Sequence, residues 1–188
     1  EVCRKHGRTG GNSLSREVIA GDWKDPATGK AAKVPFEAIR IEDSLDGGAA
    51  DLCAPLKLGK RIAVVSDNNT VEAMGRRVAK EMRGLASVDE VVFPGDTVCD
   101  EKTIARMQHE TRHADGVVVV GSGSLCDTVK SATFKDGRRY AAFATAASMN
   151  GYAAGTASVT LANGYKTSVA AHAPRGVFID LEVNAAAP

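Results

Sequence analysis

Apolar residues along the chain form short runs rich in valine and isoleucine, separated by stretches in which they recur every three or four positions. Runs of this kind are typical of strands buried on both faces, and the intervening period is typical of amphipathic helices. The predicted strands cover residues 62–65, 88–93, 117–120 and 140–144, and the run at 116–120 has the pattern of a strand buried on both faces. Strands that alternate with helices predict an α/β fold with a doubly wound parallel sheet.

Two helix starts between these strands carry local signals. Asn69 and Glu72 are spaced as a capping box before a predicted helix over residues 71–85. Asp100 stands where an N-cap is expected for the next helix.

The first 35 residues are polar and only weakly periodic. We interpret them as an N-terminal extension of a domain that spans residues 36–188. Weaker signals predict a short helix at 15–20, a turn at 25–29, an edge strand at 39–41, and a helix over 46–58 that buries Ala50, Cys53 and Leu56 and stops at Gly59.

After residue 145 the alternation of strand and helix ends. Two β-rich segments, 157–161 and 167–170, flank Ala162-Asn163-Gly164, and this arrangement predicts an added β-hairpin. A last apolar strand follows at 176–179, and Asp180 is predicted to begin a short helix.

Composition and charge narrow the function classes. The chain has 188 residues, 44% of them hydrophobic, which suits one α/β domain. With 24 basic and 23 acidic residues, it offers no electrostatic reason to bind nucleic acid or a membrane surface. The four cysteines lie far apart without metal-ligand spacing, so we expect reduced thiols and a cytoplasmic protein. We find no secretory leader and no membrane-spanning run.

The stretch DGVVVVGSGSLCDTVKS, residues 115–131, reads as strand, glycine loop and helix. A glycine loop at a helix start leaves free backbone N–H groups at the positive end of the helix dipole, which suits a phosphate. An ordinary connection without a ligand explains this stretch equally well.

Three polar stretches end predicted strands at the same edge of the sheet, where ligands bind parallel sheets: residues 67–70, 121–127 and 145–152. A carboxylate at Asp67 can accept hydrogen bonds from a ribose diol while the glycine loop holds a pyrophosphate. In the usual Rossmann fingerprint the glycine loop comes first and the acid follows, whereas here the acid precedes the loop. Asp67 therefore also fits a purely structural role before the helix, and spacing alone predicts only a nucleotide site.

Several separated motifs resemble one enzyme family. They are GVVVVGSGSLCDTVK, YAAFATAASMNGYAAGTASVT, the hairpin with Gly164-Tyr165-Lys166, HAPRGVFIDLEVNAAAP, and the upstream GDWKDPATGKAAKVP and VVSDNNTVEAMGRRVA. Together they resemble sn-glycerol-1-phosphate dehydrogenases, in the superfamily of glycerol dehydrogenase, iron-dependent alcohol dehydrogenase and dehydroquinate synthase. The resemblance runs in order from about residue 18 to the last residue.

This resemblance implies a Rossmann-like, dehydroquinate synthase-like N-terminal domain that binds NAD or NADP. In the family a helical domain follows, and a divalent metal (zinc, nickel or iron) is expected only in the full-length protein. By position, the residues implied in cofactor binding are Asp67, Asn69, Thr70, Gly121, Ser122, Gly123, Ser124, Asp127, Thr145 and Ser148. Asn150 and Lys166 are the candidates for contact with a small phosphorylated polyol. An acid beside the ribose diol favours NAD, because it would repel a 2′-phosphate.

The chain departs from the family in two respects. Asn150 stands where the family usually has aspartate, so the charge and the capacity to accept a proton are lost. The family's metal-binding aspartate and two histidines lie beyond the position of Pro188, and His109 and His113, four apart, are expected to be exposed on a helix. We therefore expect a nucleotide-binding half without metal-ligating or catalytic residues of its own, which is inactive alone.

Two other interpretations compete with this one. A noncatalytic nucleotide-binding protein fits Asn150, and a dehydroquinate synthase-like lyase fits the superfamily. A serine or cysteine hydrolase fits poorly, because Ser148 lacks a G-x-S-x-G context and Cys126 has the neighbours of a buried residue. Apolar surface that would face a helical domain also makes a homo-oligomer plausible.

Overall fold

A computed structural model describes residues 20–31 and 36–188 of the chain. Within these residues one parallel sheet has six strands in the order β1-β8-β5-β4-β2-β3, and β6 and β7 form a separate antiparallel hairpin. The strands are β1 (Ala38–Glu42), β2 (Arg61–Asp67), β3 (Ser87–Phe93), β4 (Gly116–Gly121), β5 (Arg139–Ala144), β6 (Thr156–Thr160), β7 (Lys166–Ala170) and β8 (Gly176–Asp180). The predicted strands and the hairpin are confirmed.

The helices lie on both faces of the sheet. They are α1 (Ala49–Cys53), which continues as a 3-10 helix (Ala54–Leu56), a π-helical turn (Val71–Gly75) that leads into α2 (Arg76–Met82), α3 (Glu101–Glu110), α4 (Gly123–Asp136) and α5 (Leu181–Ala185). One core cluster joins α1 and α2 to one face, and a second joins α3, α4 and the hairpin to the other. The doubly wound α/β fold is therefore confirmed.

The central strand β4 shows why the apolar runs are continuous. All six of its residues are buried. Val117 and Val119 belong to the cluster under α3 and α4, whereas Val118 and Val120 belong to the cluster under α1 and α2. Successive side chains of a strand point to opposite faces, so a strand covered on both faces needs apolar residues at every position. Each buried valine contributes about 1.5–3 kcal/mol.

The helix predicted over residues 46–58 is shorter than expected. Its α-helical part starts at Ala49 because the Glu81 carboxylate accepts the N–H groups of Gly47 (2.9 Å) and Ala49 (2.8 Å). Cys53 and Leu56 are buried as predicted, but Ala49 takes the place expected for Ala50, which is half-buried. The segment ends with Lys57 in the left-handed region (φ 51°), before Gly59.

The capping box at the start of the π-helical turn was predicted wrongly. The Asn69 side chain donates to the carbonyl of Gly95 at 3.0 Å, and no side chain caps the turn. The turn and α2 together end at Met82, so Leu85 lies beyond the helix and is exposed.

Three other local predictions have clear outcomes. Asp100 caps α3 by accepting the N–H of Thr103 at 2.8 Å. Asp180 caps α5 in the same way, through the N–H of Val183. The turn at 25–29 closes with a 2.7 Å hydrogen bond between backbone groups. Residues 15–19 of the predicted helix at 15–20 and most of the extension lie outside the described residues.

Candidate dinucleotide-binding site

The strand order reverses between β2 and β4. The chain passes from β2 outward to β3 and then returns to the other side of β2 as β4. In an open parallel sheet this reversal leaves a crevice at the carboxyl ends of the two strands, and ligands bind there. Val65 pairs with Val119, so Asp67 and Gly121, two residues further on, face each other across the crevice.

Asp67 is a buried carboxylate at the end of β2, and one of its two oxygens accepts hydrogen bonds from within the chain. Its Oδ1 accepts the N–H of Asn69 (3.0 Å), the N–H of Thr70 (2.9 Å) and the Thr70 hydroxyl (2.9 Å). The Thr70 hydroxyl also lies 2.9 Å from the Val120 carbonyl. Its single proton can therefore be donated either to Asp67 at the end of β2 or to Val120 on β4. Within the described part of the chain, Oδ2 has no hydrogen-bond partner and can accept from a ligand.

The glycine turn between β4 and α4 has the geometry of an anion site. Ser122 is the N-cap, its side chain makes no cap hydrogen bond, and the first intrahelical bond runs from the Cys126 N–H to the Ser122 carbonyl at 3.3 Å. The N–H groups of residues 123–125 precede that bond and therefore lack intrahelical acceptors. They point along the axis of a 14-residue helix, at the positive end of its dipole.

The two glycines of this turn are needed for different reasons. Gly123 has φ +43°, a left-handed conformation, and a side chain there would project into open space where a ligand can lie. At Gly121 a Cβ atom would stand 2.8 Å from Cδ2 of Leu125. Gly121 thus permits close packing and Gly123 permits the turn, so the local structure fits a diphosphate.

The segment 145–152 lies beside the turn, at the end of β5. Thr145 is buried and its N–H donates to the Gly121 carbonyl at 3.3 Å. The Tyr152 hydroxyl lies 3.3 Å from that same carbonyl and 3.1 Å from the carbonyl of Ala146. Burial raises the pKa of Tyr152, so the hydroxyl stays protonated and donates. Ser148 and Asn150 are exposed at the surface of this segment.

Asp127 and Lys130 face away from the crevice, toward the hairpin. Asp127 Oδ2 accepts the N–H of Ser158 at 3.1 Å, and its Oδ1 lies 3.5 Å from Lys130 Nζ. Lys130 is only 1% exposed and donates to the carbonyls of Gly151 (2.7 Å) and Thr156 (3.0 Å). Sequence reasoning missed Lys130. The signal was a lysine within the apolar face of a helix that packs on the sheet.

The structure brings most of the predicted cofactor residues to one edge of the sheet. They are Asp67, Thr70, Gly121, Ser122, Gly123, Ser124 and Thr145. Asn69 is tied to the loop after β3 instead. Lys166 pairs with Thr160, at the opposite end of β6 from Thr156 and the Asn150 segment. The length of β6 therefore places Lys166 about 13 Å from the Thr156 end of the hairpin.

The remaining titratable side chains do not form a second centre in the described residues. No three His, Cys, Asp or Glu side chains converge within residues 20–31 and 36–188. His109 and His113 are exposed, and His113 lies beyond the end of α3 rather than on it. Cys53, Cys99 and Cys126 are buried free thiols, and burial raises the pKa of each. A nucleophilic role for these thiols is therefore unfavourable.

Comparison with known proteins identifies the family. The family model described as iron-containing alcohol dehydrogenase matches residues 40–188. The chain belongs to the iron-containing alcohol dehydrogenase family. This membership confirms the resemblance described for the separated motifs. Among the helices of the described residues, none combines the length and the apolar character needed to cross a membrane.

Curated relatives of the chain share the name glycerol-1-phosphate dehydrogenase [NAD(P)+]. The protein from Methanoculleus marisnigri is 35% identical over 159 residues, which are 85% of this chain and 43% of the relative. The protein from Bacillus velezensis is 32% identical over 160 residues, 80% of this chain and 40% of the relative. The chain thus spans about two fifths of the length of these relatives.

Solved structures of similar proteins share the fold. A probable glycerol dehydrogenase from Sinorhizobium meliloti superposes with a TM-score of 0.69 at 25% identity, over 81% of this chain and 41% of that one. Maleylacetate reductase from Agrobacterium tumefaciens superposes with a TM-score of 0.69 at 20% identity, over 83% of this chain and 44% of that one. In each case the match covers less than half of the larger protein.

Proposed function

We propose that residues 36–188 are the dinucleotide-binding domain of an NAD(P)- and metal-dependent dehydrogenase that interconverts glycerone phosphate and glycerol 1-phosphate. The observation that carries the proposal is the meeting of Asp67 and the Gly123 turn at the reversal of strand order. The names of the curated relatives support the choice of substrate.

Each element of the crevice has a role in this proposal. The free oxygen of Asp67 accepts from the adenosine ribose, and the N–H groups that open α4 hold the pyrophosphate. Thr145 and Ser148 lie along the nicotinamide side, and Asn150 faces the polyol. In the complete enzyme a bound divalent metal supplies Lewis-acid polarisation of the substrate oxygen.

The buried charge of Asp67 also favours NAD over NADP. Its Oδ1 is occupied by two backbone N–H groups, so the carboxylate is fixed in place and cannot turn away from a 2′-phosphate. A fixed negative charge in a largely buried setting repels a second negative charge more strongly than an exposed one does.

Calorimetric titration with NADH and NADPH tests this proposal. The variant Gly123→Asp places a strained backbone and a carboxylate in the phosphate position, whereas Gly137→Asp changes a glycine of similar positive φ (67°) in open space at the other end of α4. We expect the wild-type chain and Gly137→Asp to bind NADH alike, and Gly123→Asp to bind at least about a hundredfold more weakly, because two or more charge-assisted hydrogen bonds are lost.

Two outcomes would refute the proposal. One is that the wild-type chain binds neither dinucleotide. The other is that Gly123→Asp binds NADH as tightly as Gly137→Asp does, since the turn would then contribute nothing to binding.

A further inference from the structure

Lys130 is a buried cation on the helix that presents the phosphate turn. Its Nζ has three acceptors, the carbonyls of Gly151 (2.7 Å) and Thr156 (3.0 Å) and Oδ1 of Asp127 (3.5 Å). All three hydrogens of the ammonium group therefore have a partner. A buried charge is retained without a large penalty only when it is paired and hydrogen-bonded in this way.

The two carbonyl groups that accept from this ammonium group lie close together in the chain, on either side of residues 152–155. Gly151 directly follows Asn150, and Thr156 is the first residue of β6. Asp127 reaches further along the same strand, because its second oxygen accepts the N–H of Ser158 at 3.1 Å. Two side chains of α4 thus hold residues 151–158 at three points.

The same helix begins at the glycine turn, and Asp127 is the fifth residue of α4. A carboxylate so close to the phosphate position would oppose a bound diphosphate if it were unpaired. Lys130 neutralises the Asp127 carboxylate, and the other carboxylate oxygen accepts the N–H of Ser158 on the hairpin. The pair therefore connects the phosphate turn to the Asn150 segment through one rigid element.

We propose that Asp127 and Lys130 are positioning residues, which anchor residues 151–158 on α4 so that the nicotinamide half of a dinucleotide bound at residues 121–124 meets the segment 145–152. This inference rests on the proposed function and deepens it. It assigns Asp127 to the anchor rather than to direct contact with the cofactor.

Amide hydrogen exchange of the ligand-free chain tests the anchor directly. Lys130→Met removes the ammonium group and keeps the length of the side chain, and Lys135→Met on the exposed face of the same helix is the matched control. We expect Lys130→Met to lose protection at residues 151–158 while β2 and β4 exchange as in the wild type. Equal exchange of residues 151–158 in the two variants would overturn the proposal.

A double variant keeps the test valid if Lys130→Met does not fold. Asp127→Asn combined with Lys130→Met removes both charges, so no unpaired carboxylate remains buried, and the new amide oxygen can still accept the N–H of Ser158. We expect this chain to fold and still to lose protection near Gly151. Retained protection at Gly151 would show that the ammonium group does not anchor the segment.

Dinucleotide binding provides a readout that a purely structural role would not change. ADP-ribose lacks the nicotinamide, so the ratio of its Kd to that of NADH reports contacts of the nicotinamide half. We expect the wild type to prefer NADH by about fivefold or more, the value of one hydrogen bond. Lys130→Met combined with Asp127→Asn leaves no unpaired carboxylate beside the diphosphate, so this double variant should lose the preference and still bind ADP-ribose within about twofold of the wild type.

The outcomes separate this proposal from the proposed function. Equal affinity of the wild type for NADH and ADP-ribose, or an undiminished preference in the double variant, would overturn the positioning role. If the wild type bound neither compound, the proposed function would fail, and the exchange data would still decide whether the pair anchors the segment.

Discussion

Replacement of Asp67 by asparagine separates the structural role of this carboxylate from its role toward a ligand. The amide oxygen of asparagine can still accept the N–H groups of Asn69 and Thr70, which lie 3.0 and 2.9 Å from Oδ1 in the wild type. The negative charge and the second oxygen are lost. We therefore expect the variant to fold with nearly wild-type stability and to bind NADH less tightly.

The expected size follows from the hydrogen bonds involved. A hydrogen bond to a charged group contributes about 1.5–3 kcal/mol, so the Kd for NADH should rise about 10- to 150-fold. Two unit charges about 4 Å apart near a protein surface repel by about 4 kcal/mol, and the substitution removes this repulsion from a 2′-phosphate. The Kd for NADPH should therefore stay constant or fall, and the preference for NADH should shrink more than about tenfold.

Calorimetry with both dinucleotides measures these changes, and Asp100→Asn is the matched control. Asp100 is likewise a carboxylate that accepts the backbone N–H of the residue three positions on, Thr103, but it stands at the start of α3 rather than at the end of β2. Asp67→Ala adds a comparison in which the three bonds to Oδ1 are lost and stability falls as well. An NADH affinity of Asp67→Asn within about twofold of the wild type, or an equal loss for NADPH, would refute the reasoning.

Two further predictions concern stability. Arg77 donates to the fully buried Asp180 carboxylate at 2.7 Å, so Arg77→Met should lower the free energy of unfolding in urea by about 2–3 kcal/mol. Arg76→Met is the control: it loses only an exposed ion pair and should lower the free energy of unfolding by less than about 0.5 kcal/mol. Burial alone would raise the pKa of Asp180, but two backbone N–H groups and Arg77 hold it below its ordinary value. The difference in the free energy of unfolding between wild type and Arg77→Met should therefore be largest above about pH 4 and disappear as the pH falls through that lowered pKa. The same difference at pH 7 and at pH 2 would contradict this prediction. Tyr152→Phe should cost about 1–3 kcal/mol because carbonyl groups at the crevice lose a buried donor, while Tyr165→Phe on the exposed hairpin turn should leave the unfolding curve unchanged.

Most of the fold was predictable because its signals are local. Continuous valine in β4 indicates a strand covered on both faces, and Asn163-Gly164 indicates a hairpin turn, with Gly164 at φ +83°. The caps at Asp100 and Asp180 bind N–H groups only three residues away. Such features depend on neighbours within one turn or one strand, so they are visible in the order of residues.

The candidate site was predictable in part for a topological reason. The stretches that begin at Asp67, Gly121 and Thr145 all follow strands of one parallel sheet, and the carboxyl ends of such strands share an edge. Their convergence therefore followed from the strand assignment. The roles of single side chains within it did not.

Only the tertiary structure decided the interactions that join distant parts of the chain. Glu81 sets the start of α1 across more than 30 residues, and Asn69 bonds to Gly95 instead of capping its own helix. Lys130 is anchored by carbonyls 21 and 26 residues further on. Backbone carbonyls and N–H groups are present at every position, so sequence alone does not show which of them a side chain will meet. The sequence determines where strands, turns and caps form, and packing then determines which polar groups are buried together and must satisfy one another.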